Sequence, residues 1–72
     1  MQEHILIRYG QAVRKVRLEQ GISQEELAFR ANLNMNSIST LERGLNNVKI
    51  KTLYAIADAL EVKIEDILNC KF

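Results

Sequence analysis

Residues 23 to 44 read Ser-Gln-Glu-Glu-Leu-Ala-Phe-Arg-Ala-Asn-Leu-Asn-Met-Asn-Ser-Ile-Ser-Thr-Leu-Glu-Arg-Gly, and this stretch decides the fold. Ser23 and Glu26 have the spacing of a capping box, in which the Ser23 hydroxyl accepts from the Glu26 N–H and the Glu26 carboxylate accepts from the Ser23 N–H. A helix is therefore predicted to begin at Gln24. Its apolar stripe, which faces inward, consists of Leu27, Ala28 and Ala31.

A second short helix follows after a turn at residues 32–34. Asn32 tolerates the left-handed conformation that ends a helix, Leu33 anchors the turn to the core, and Asn34 caps the next helix. Gly44 ends that helix, whose inward residues are Ile38 and Leu41. The pattern predicts a helix-turn-helix and with it DNA binding. The polar outer face of the second helix contains Met35, Asn36, Ser37, Ser39, Thr40 and Arg43.

Three further helices complete an all-α, five-helix fold in a single domain over residues 1–72. The first runs from roughly His4 to Gln20, with Gly21 as its cap, and Gly10 inside it indicates close approach of a neighbouring helix. The periodic apolar residues are Leu6, Tyr9, Val13 and Val16 in the first helix, Leu53, Ile56, Ala57 and Leu60 in the fourth, and Ile64, Ile67 and Leu68 in the fifth.

Four segments together resemble the DNA-binding domain of the phage repressor and Cro-like (XRE-type) regulators, and the resemblance covers nearly the whole chain. They are Ser-Gln-Glu-Glu-Leu-Ala at 23–28, the turn at 32–34, Ile-Ser-x-Leu-Glu-Arg-Gly at 38–44 and Leu-x-x-Ile-Ala-x-Ala-Leu at 53–60. Size and the five-helix plan are most similar to the controller proteins of restriction-modification systems. The chain departs from the common pattern of this family at three positions, and these departures affect loop geometry. Asn32 and Glu61 stand where glycine is common, and Val48 stands where proline is frequent.

Base reading is expected from the exposed first turns of the second helix of the motif. Asn36 is the strongest candidate, because an amide donates and accepts at once and so matches N7 and N6 of adenine. Met35 either touches a thymine methyl or forms a half-buried lid on the turn, and Asn34 either contacts DNA or only caps. The expected DNA-binding set is Gln24, Asn34, Met35, Asn36, Ser37, Ser39, Thr40, Arg43, Asn46, Asn47 and Lys49.

The resemblance implies two further roles. Gln24, at the first turn of its helix, would hold the sugar-phosphate backbone, and the alternative is a solvated polar residue. Arg17 and Glu42 would form a structural salt bridge between the first helix and the end of the third, and the alternative for Arg17 is a phosphate contact.

Such regulators pair through their last helices, so a homodimer is expected through about residues 53–72. Two-fold symmetry would set two recognition helices roughly 34 Å apart and call for a pseudo-palindromic operator in double-stranded DNA. Alternatively, these residues close the monomer core, with Phe72 folded over the fourth helix. The expected interface residues are Leu60, Ile64, Ile67, Leu68 and Phe72.

Composition argues against several other classes of protein. The net charge is only +1, but residues 1–51 hold eight Lys and Arg against five Asp and Glu, whereas residues 52–72 hold two against four. The longest apolar run, Leu53 to Ala57, is far shorter than the ~20 residues of a membrane span, and no signal peptide follows Met1. Cytoplasmic location is expected.

No catalytic or metal site is expected, because the chain has one histidine, His4, and one cysteine, Cys70. His4 is interpreted as a surface residue. Cys70 is interpreted as a reduced thiol, with an intermolecular disulfide at the dimer contact as the alternative.

The leading hypothesis is a stand-alone, sequence-specific transcriptional regulator of the controller type, without cofactor or small-molecule ligand, since the chain ends soon after its fifth helix. A Cro-like phage repressor is the nearest alternative. A module that sequesters a regulator or toxin is a third, and it is disfavoured because the outer face lacks apolar anchors.

Overall fold

The computed structural model describes the backbone of residues 2–44 and 49–68 and the side chains of residues 7–44 and 49–68. Within these ranges the chain forms five helices and no strand: α1 (Gln2–Glu19), α2 (Gln24–Ala31), α3 (Met35–Glu42), α4 (Ile50–Ala59) and α5 (Ile64–Leu68). The all-α, five-helix prediction is confirmed. None of the helices in this part of the chain has the length and hydropathy that a membrane crossing requires.

The core lies between α1 and the remaining helices. α1 packs against α3 and α5, and α2 packs against α3 and α4. Each large apolar side chain buried there contributes roughly 1.5–3 kcal/mol. The largest fully buried side chains are Tyr9, Val13, Leu27, Ile38, Ile56, Leu60 and Ile67.

Burial in the core corrects part of the predicted dimer interface. Leu60 is 0% exposed and Ile67 is 2% exposed within a single chain, so these side chains have no surface left to lose to a partner. For these two residues the interface prediction is wrong, and the alternative, closure of the monomer core, holds. Ile64 is half-buried and Leu68 is 45% exposed, while Phe72 lies outside the described residues.

Three helices end in left-handed residues that close the same hydrogen-bonding motif. At Gly21 (φ +72°), the Ile22 N–H donates to the Arg17 carbonyl over 3.2 Å, and Asn32 and Glu61 (both φ 59°) close α2 and α4 in the same way. The departures from glycine at these two positions thus leave the geometry of the helix ends unchanged. Gly44 (φ +68°) ends α3 as predicted, and Val48 lies outside the described residues.

Side-chain caps begin α2 and α3. The Glu26 N–H donates to Ser23 Oγ over 3.0 Å, and the Ser37 N–H donates to Asn34 Oδ1 over 2.8 Å. The returning half of the predicted capping box is wrong, because the Glu26 carboxylate instead accepts from Arg30 Nε at 2.8 Å. Arg30 lies one turn further along the same exposed face, where an opposite charge at i, i+4 attracts the carboxylate.

A buried ion pair joins α1 to the end of α3. Arg17 Nε lies 2.7 Å from Glu42 Oε2, and Arg17 Nη2 lies 3.0 Å from Glu42 Oε1. Arg17 Nη1 also donates to the Ile22 carbonyl over 2.9 Å. The two residues are 7% and 9% exposed, so their charges are removed from water and must satisfy each other.

A second polar link fixes α4 to α1. The Tyr9 hydroxyl donates to the Leu53 carbonyl over 2.7 Å, and Gln20 Nε2 donates to the Leu60 carbonyl over 2.7 Å. Burial raises the pKa of the Tyr9 phenol, so the group stays protonated as a donor. The Gln20 contact satisfies a carbonyl at the end of α4, where the helix itself supplies no donor.

Gly10 is the point at which α1 and α3 come closest. A Cβ atom added there would collide with the Leu41 carbonyl oxygen and would lie 3.1 Å from the Glu42 carbonyl carbon. The predicted close approach of a neighbouring helix is therefore confirmed. Both neighbours are backbone atoms, so neither can rotate away from an added methyl group.

We expect Gly10→Ala to destabilise the fold. Overpacking of a closed contact costs about 1–3 kcal/mol, which outweighs the ~0.5–1 kcal/mol that alanine gains over glycine inside a helix. Urea unfolding followed by circular dichroism measures the difference. Gln11→Ala, at the exposed next position, should change the free energy of unfolding by less than about 0.5 kcal/mol, and equal behaviour of the two variants would contradict the close packing.

Removal of Glu42 should cost far more than removal of an exposed carboxylate with a similar pairing distance. Glu42→Ala leaves Arg17 buried without a counter-charge, and we expect a loss of about 3–5 kcal/mol in the free energy of unfolding. Glu26→Ala, which breaks the exposed 2.8 Å pair with Arg30, should cost no more than about 0.5 kcal/mol. Similar losses in the two urea titrations would refute the structural role of the buried pair.

Candidate nucleic-acid interface

α3 presents a polar stripe on the side opposite its buried residues. Ile38 and Leu41 are 0% and 3% exposed and hold the helix to the core. Asn36, Thr40 and Arg43 follow one another at i, i+4 and i+7, which places them on one face of the helix. None of these three is buried, and Asn36 and Arg43 are exposed. The sequence-predicted reading residues therefore meet on one accessible ridge.

Internal hydrogen bonds limit what each side chain of this ridge can offer. The Thr40 hydroxyl donates to the Asn36 carbonyl over 2.7 Å, so its oxygen remains as an acceptor. Arg43 Nε makes a long contact of 3.4 Å to the Ser39 carbonyl, and its terminal nitrogens have no partner among residues 7–44 and 49–68. Among the described residues the Asn36 amide has no protein partner, so both its donor and its acceptor face outward.

Residues at the start of α3 flank this ridge. The Asn34 Oδ1 caps the helix by accepting from the Ser37 N–H, and its amide nitrogen is left as a donor. Met35 is 51% exposed. This exposure fits both predicted roles, a half-buried lid on the turn and an apolar contact to DNA. Ser37 and Ser39 are half-buried on either side.

Gln24 is held by the same carboxylate that pairs with Arg17. Its Nε2 atom donates to Glu42 Oε1 over 3.0 Å, so this oxygen accepts from both α1 and α2. One amide N–H and the amide oxygen of Gln24 stay available at the start of α2, where free backbone N–H groups favour an anion. Each of the three Arg17 guanidinium nitrogens is engaged in the protein, which disfavours the alternative of a phosphate contact by Arg17.

Sequence reasoning missed two features of this region. The link from Gln24 to Glu42 spans 18 positions, and no local pattern signals it. Arg14 lies one helical turn before Arg17, and that spacing could have placed it on the same face of α1. Arg14 also borders a concavity of about 190 Å³, which is lined by Arg14, Arg17, Gln24, Ser39, Glu42 and Arg43.

The remaining predicted contacts lie beyond α3. Lys49 is exposed at the N-cap of α4, where its side chain makes no capping hydrogen bond. Asn46 and Asn47 lie outside the described residues. Within the described ranges no group of three or more His, Cys, Asp and Glu side chains could hold a metal ion, and His4 and Cys70 belong to the undescribed side chains.

Comparison with known proteins identifies the family. The helix-turn-helix family profile matches residues 13–67. The chain is 40% identical over 70 residues to control protein C.BamHI of Bacillus amyloliquefaciens, covering 96% of this chain and 86% of that protein.

Solved structures agree with this match. The restriction-modification controller protein C.AhdI from Aeromonas hydrophila superposes with a TM-score of 0.86 at 32% identity, covering 90% of this chain and 94% of that one. The controller protein C.Esp1396I gives a TM-score of 0.82 at 37% identity, covering 89% and 87%. The chain therefore belongs to the helix-turn-helix family and is a DNA-binding transcriptional regulator.

Proposed function

We propose that the protein acts as a homodimeric controller of a restriction-modification system, binding a pseudo-palindromic operator near its own promoter. The observation that carries the proposal is the ridge of Asn36, Thr40 and Arg43, which is polar, accessible and fixed to the core by a buried ion pair. Similarity to C.BamHI, C.AhdI and C.Esp1396I supports the controller subtype. The regulator would act in the cytoplasm, with its DNA, and by binding instead of catalysis.

Sequence would be read in the major groove by the exposed side chains of α3. The Asn36 amide can donate to N7 and accept from the N6 amino group of one adenine, because among the described residues it has no partner within the protein. The Thr40 oxygen, with its proton already donated, accepts from a base amino group. Met35 adds an apolar contact to a thymine methyl, and Ser37 lies at the edge of the same surface.

Contacts to the DNA backbone would fix the register of α3. Gln24 offers its second amide N–H at the start of α2, and Ser39 and Arg43 line the same concavity as Gln24. Asn34 offers its amide nitrogen, and Lys49 is exposed beyond α3. Asn46 and Asn47, outside the described residues, remain part of the proposed set.

The dimer interface is proposed on the outer surface of the last two helices. Leu68 is 45% exposed on α5, and Ile64 is half-buried beside the core. On α4, Ile50 and Tyr54 are 68% and 52% exposed and lie one turn apart on a common face. Exposed apolar side chains at this density on two short helices favour burial against a second copy, and Phe72 remains a proposed contributor.

A mobility-shift titration on duplex DNA from upstream of the protein's own gene tests the reading residues. We expect Asn36→Ala to weaken operator binding by roughly 5- to 150-fold per recognition helix, because a bidentate adenine contact is worth about 1–3 kcal/mol. Binding to a scrambled duplex should change little. Gln11→Ala, an exposed polar substitution on α1, is the matched control and should bind the operator as the unmodified protein does.

Loss of binding must not arise from unfolding, so thermal melts of both variants accompany the titration. Unchanged operator affinity of a folded Asn36→Ala variant would remove α3 from base reading. Failure of the unmodified protein to distinguish its upstream DNA from a scrambled duplex would contradict the autoregulatory proposal.

Sedimentation equilibrium tests the proposed interface. Leu68→Asp places a charge on the outer surface of α5, and we expect the mass to shift from dimer toward monomer at micromolar concentration, with operator affinity falling in parallel. Phe29→Asp is the matched control, since Phe29 is 82% exposed on α2 and is not part of the proposed interface. A Leu68→Asp variant that remains as dimeric as the control would place the interface elsewhere.

A further inference from the structure

We propose that Arg14 and Arg43 form a clamp for one phosphate of the DNA backbone, in the concavity between α1 and α3. This inference rests on the proposed DNA binding and adds a contact residue, Arg14, on a helix outside the helix-turn-helix. The concavity of about 190 Å³ is lined by residues of three helices, with Arg14 and Arg17 from α1, Gln24 from α2 and Ser39 and Glu42 from α3. Arg43 follows directly after α3 and completes the lining.

The charge of the concavity comes from its rim. Arg17 and Glu42 are buried and neutralise each other over 2.7 Å. Arg14 and Arg43 are exposed, and within residues 7–44 and 49–68 neither has a carboxylate within ion-pair distance. Two guanidinium groups without a counter-charge at one opening attract an anion, and a guanidinium fork matches the geometry of phosphate oxygens.

Neutral donors at the same opening suit the same ligand. Gln24 has one amide N–H left after its bond to Glu42. The Ser39 hydroxyl has no hydrogen-bond partner among the described residues. Gln24 is also the first residue of α2, so backbone N–H groups and the positive end of the helix dipole lie nearby. Donors therefore outnumber acceptors at the opening.

The position of the opening selects DNA as the source of the phosphate. Ser39 occupies the flank of α3 next to the ridge, and Arg43, at the end of the ridge, lines the same concavity. When a helix lies in the major groove, side chains on its flanks meet the phosphates that border the groove. Arg14 reaches the same opening from α1, so the clamp would hold the backbone from both sides and set how α3 enters the groove.

Salt dependence of operator binding tests the clamp with Arg14→Gln. Each phosphate contact contributes about −0.9 to the slope of log Kobs against log salt concentration, so a dimer that loses two should show a slope shallower by about 2. We expect the same change on the operator and on a scrambled duplex, with the ratio of the two affinities retained. Arg14→Lys should keep most of the slope, because the charge remains.

Arg8→Gln is the matched control, since Arg8 is exposed on the same helix and does not line the concavity. Equal slopes for the Arg8→Gln and Arg14→Gln variants would overturn the clamp while leaving DNA binding intact. A changed operator-to-scrambled ratio in Arg14→Gln would also overturn it, by assigning Arg14 to base reading. Absence of DNA binding by the unmodified protein would instead refute the proposed function.

A separate titration distinguishes DNA from free phosphate. Inorganic phosphate is added at constant ionic strength without DNA, and the Nε–H resonances of Arg14 and Arg43 are followed. We expect no saturable shift in either resonance, because one free anion lacks the neighbouring phosphates that would hold it in place. Saturable binding at millimolar concentration would reassign the concavity to a free anion.

Discussion

The buried carboxylate of Glu42 is the constraint on which the rest of the structure depends. One of its oxygens accepts from Arg17 on α1 and from Gln24 on α2, and the other accepts from Arg17 alone. The same arginine donates to the Ile22 carbonyl in the loop between α1 and α2. Burying two charges costs several kcal/mol before any attraction is counted, so the arrangement holds only while these hydrogen bonds stay together. It fixes the angle between α1 and α3 at the level of individual atoms.

The position of α3 is set both by apolar packing and by the hydrogen bonds among Arg17, Gln24 and Glu42. Ile38 and Leu41 bury one side of the helix, which determines that the polar ridge faces outward. Packing of this kind is non-directional, whereas the bonds of Glu42 are directional and act at the end of α3. At Gly10 the backbones of α1 and α3 are in close contact, which adds a third constraint on the position of α3. Recognition by short side chains such as Asn36 requires this precision, since they reach a base edge only from a fixed backbone.

Local chemistry explains why much of the fold could be predicted from the sequence. Ser23, Asn34 and Gly44 cap helices through contacts three or four residues away, and Gly10 signals close packing because a glycine inside a helix is otherwise costly. When a side chain has two possible hydrogen-bond partners, the one it binds is harder to predict from the sequence. Glu26 had both Ser23 and Arg30 within reach, and the sequence pattern favoured the wrong one. The placement of Leu60 and Ile67 in the core instead of at an interface depends on how all five helices pack together. The Gln24 bond and the position of Arg14 depend on how α1, α2 and α3 meet.

Replacement of the whole ion pair tests whether the pair positions α3 for DNA in addition to stabilising the fold. The double variant Arg17→Met, Glu42→Leu substitutes apolar side chains of similar size, a change that often leaves stability intact. Its operator affinity is measured under conditions in which circular dichroism shows the variant folded. We expect operator binding to be weaker by about tenfold or more, the equivalent of one lost hydrogen bond to a charged group. Operator affinity equal to that of the unmodified protein, from a folded double variant, would contradict the account and leave apolar packing as sufficient to position α3.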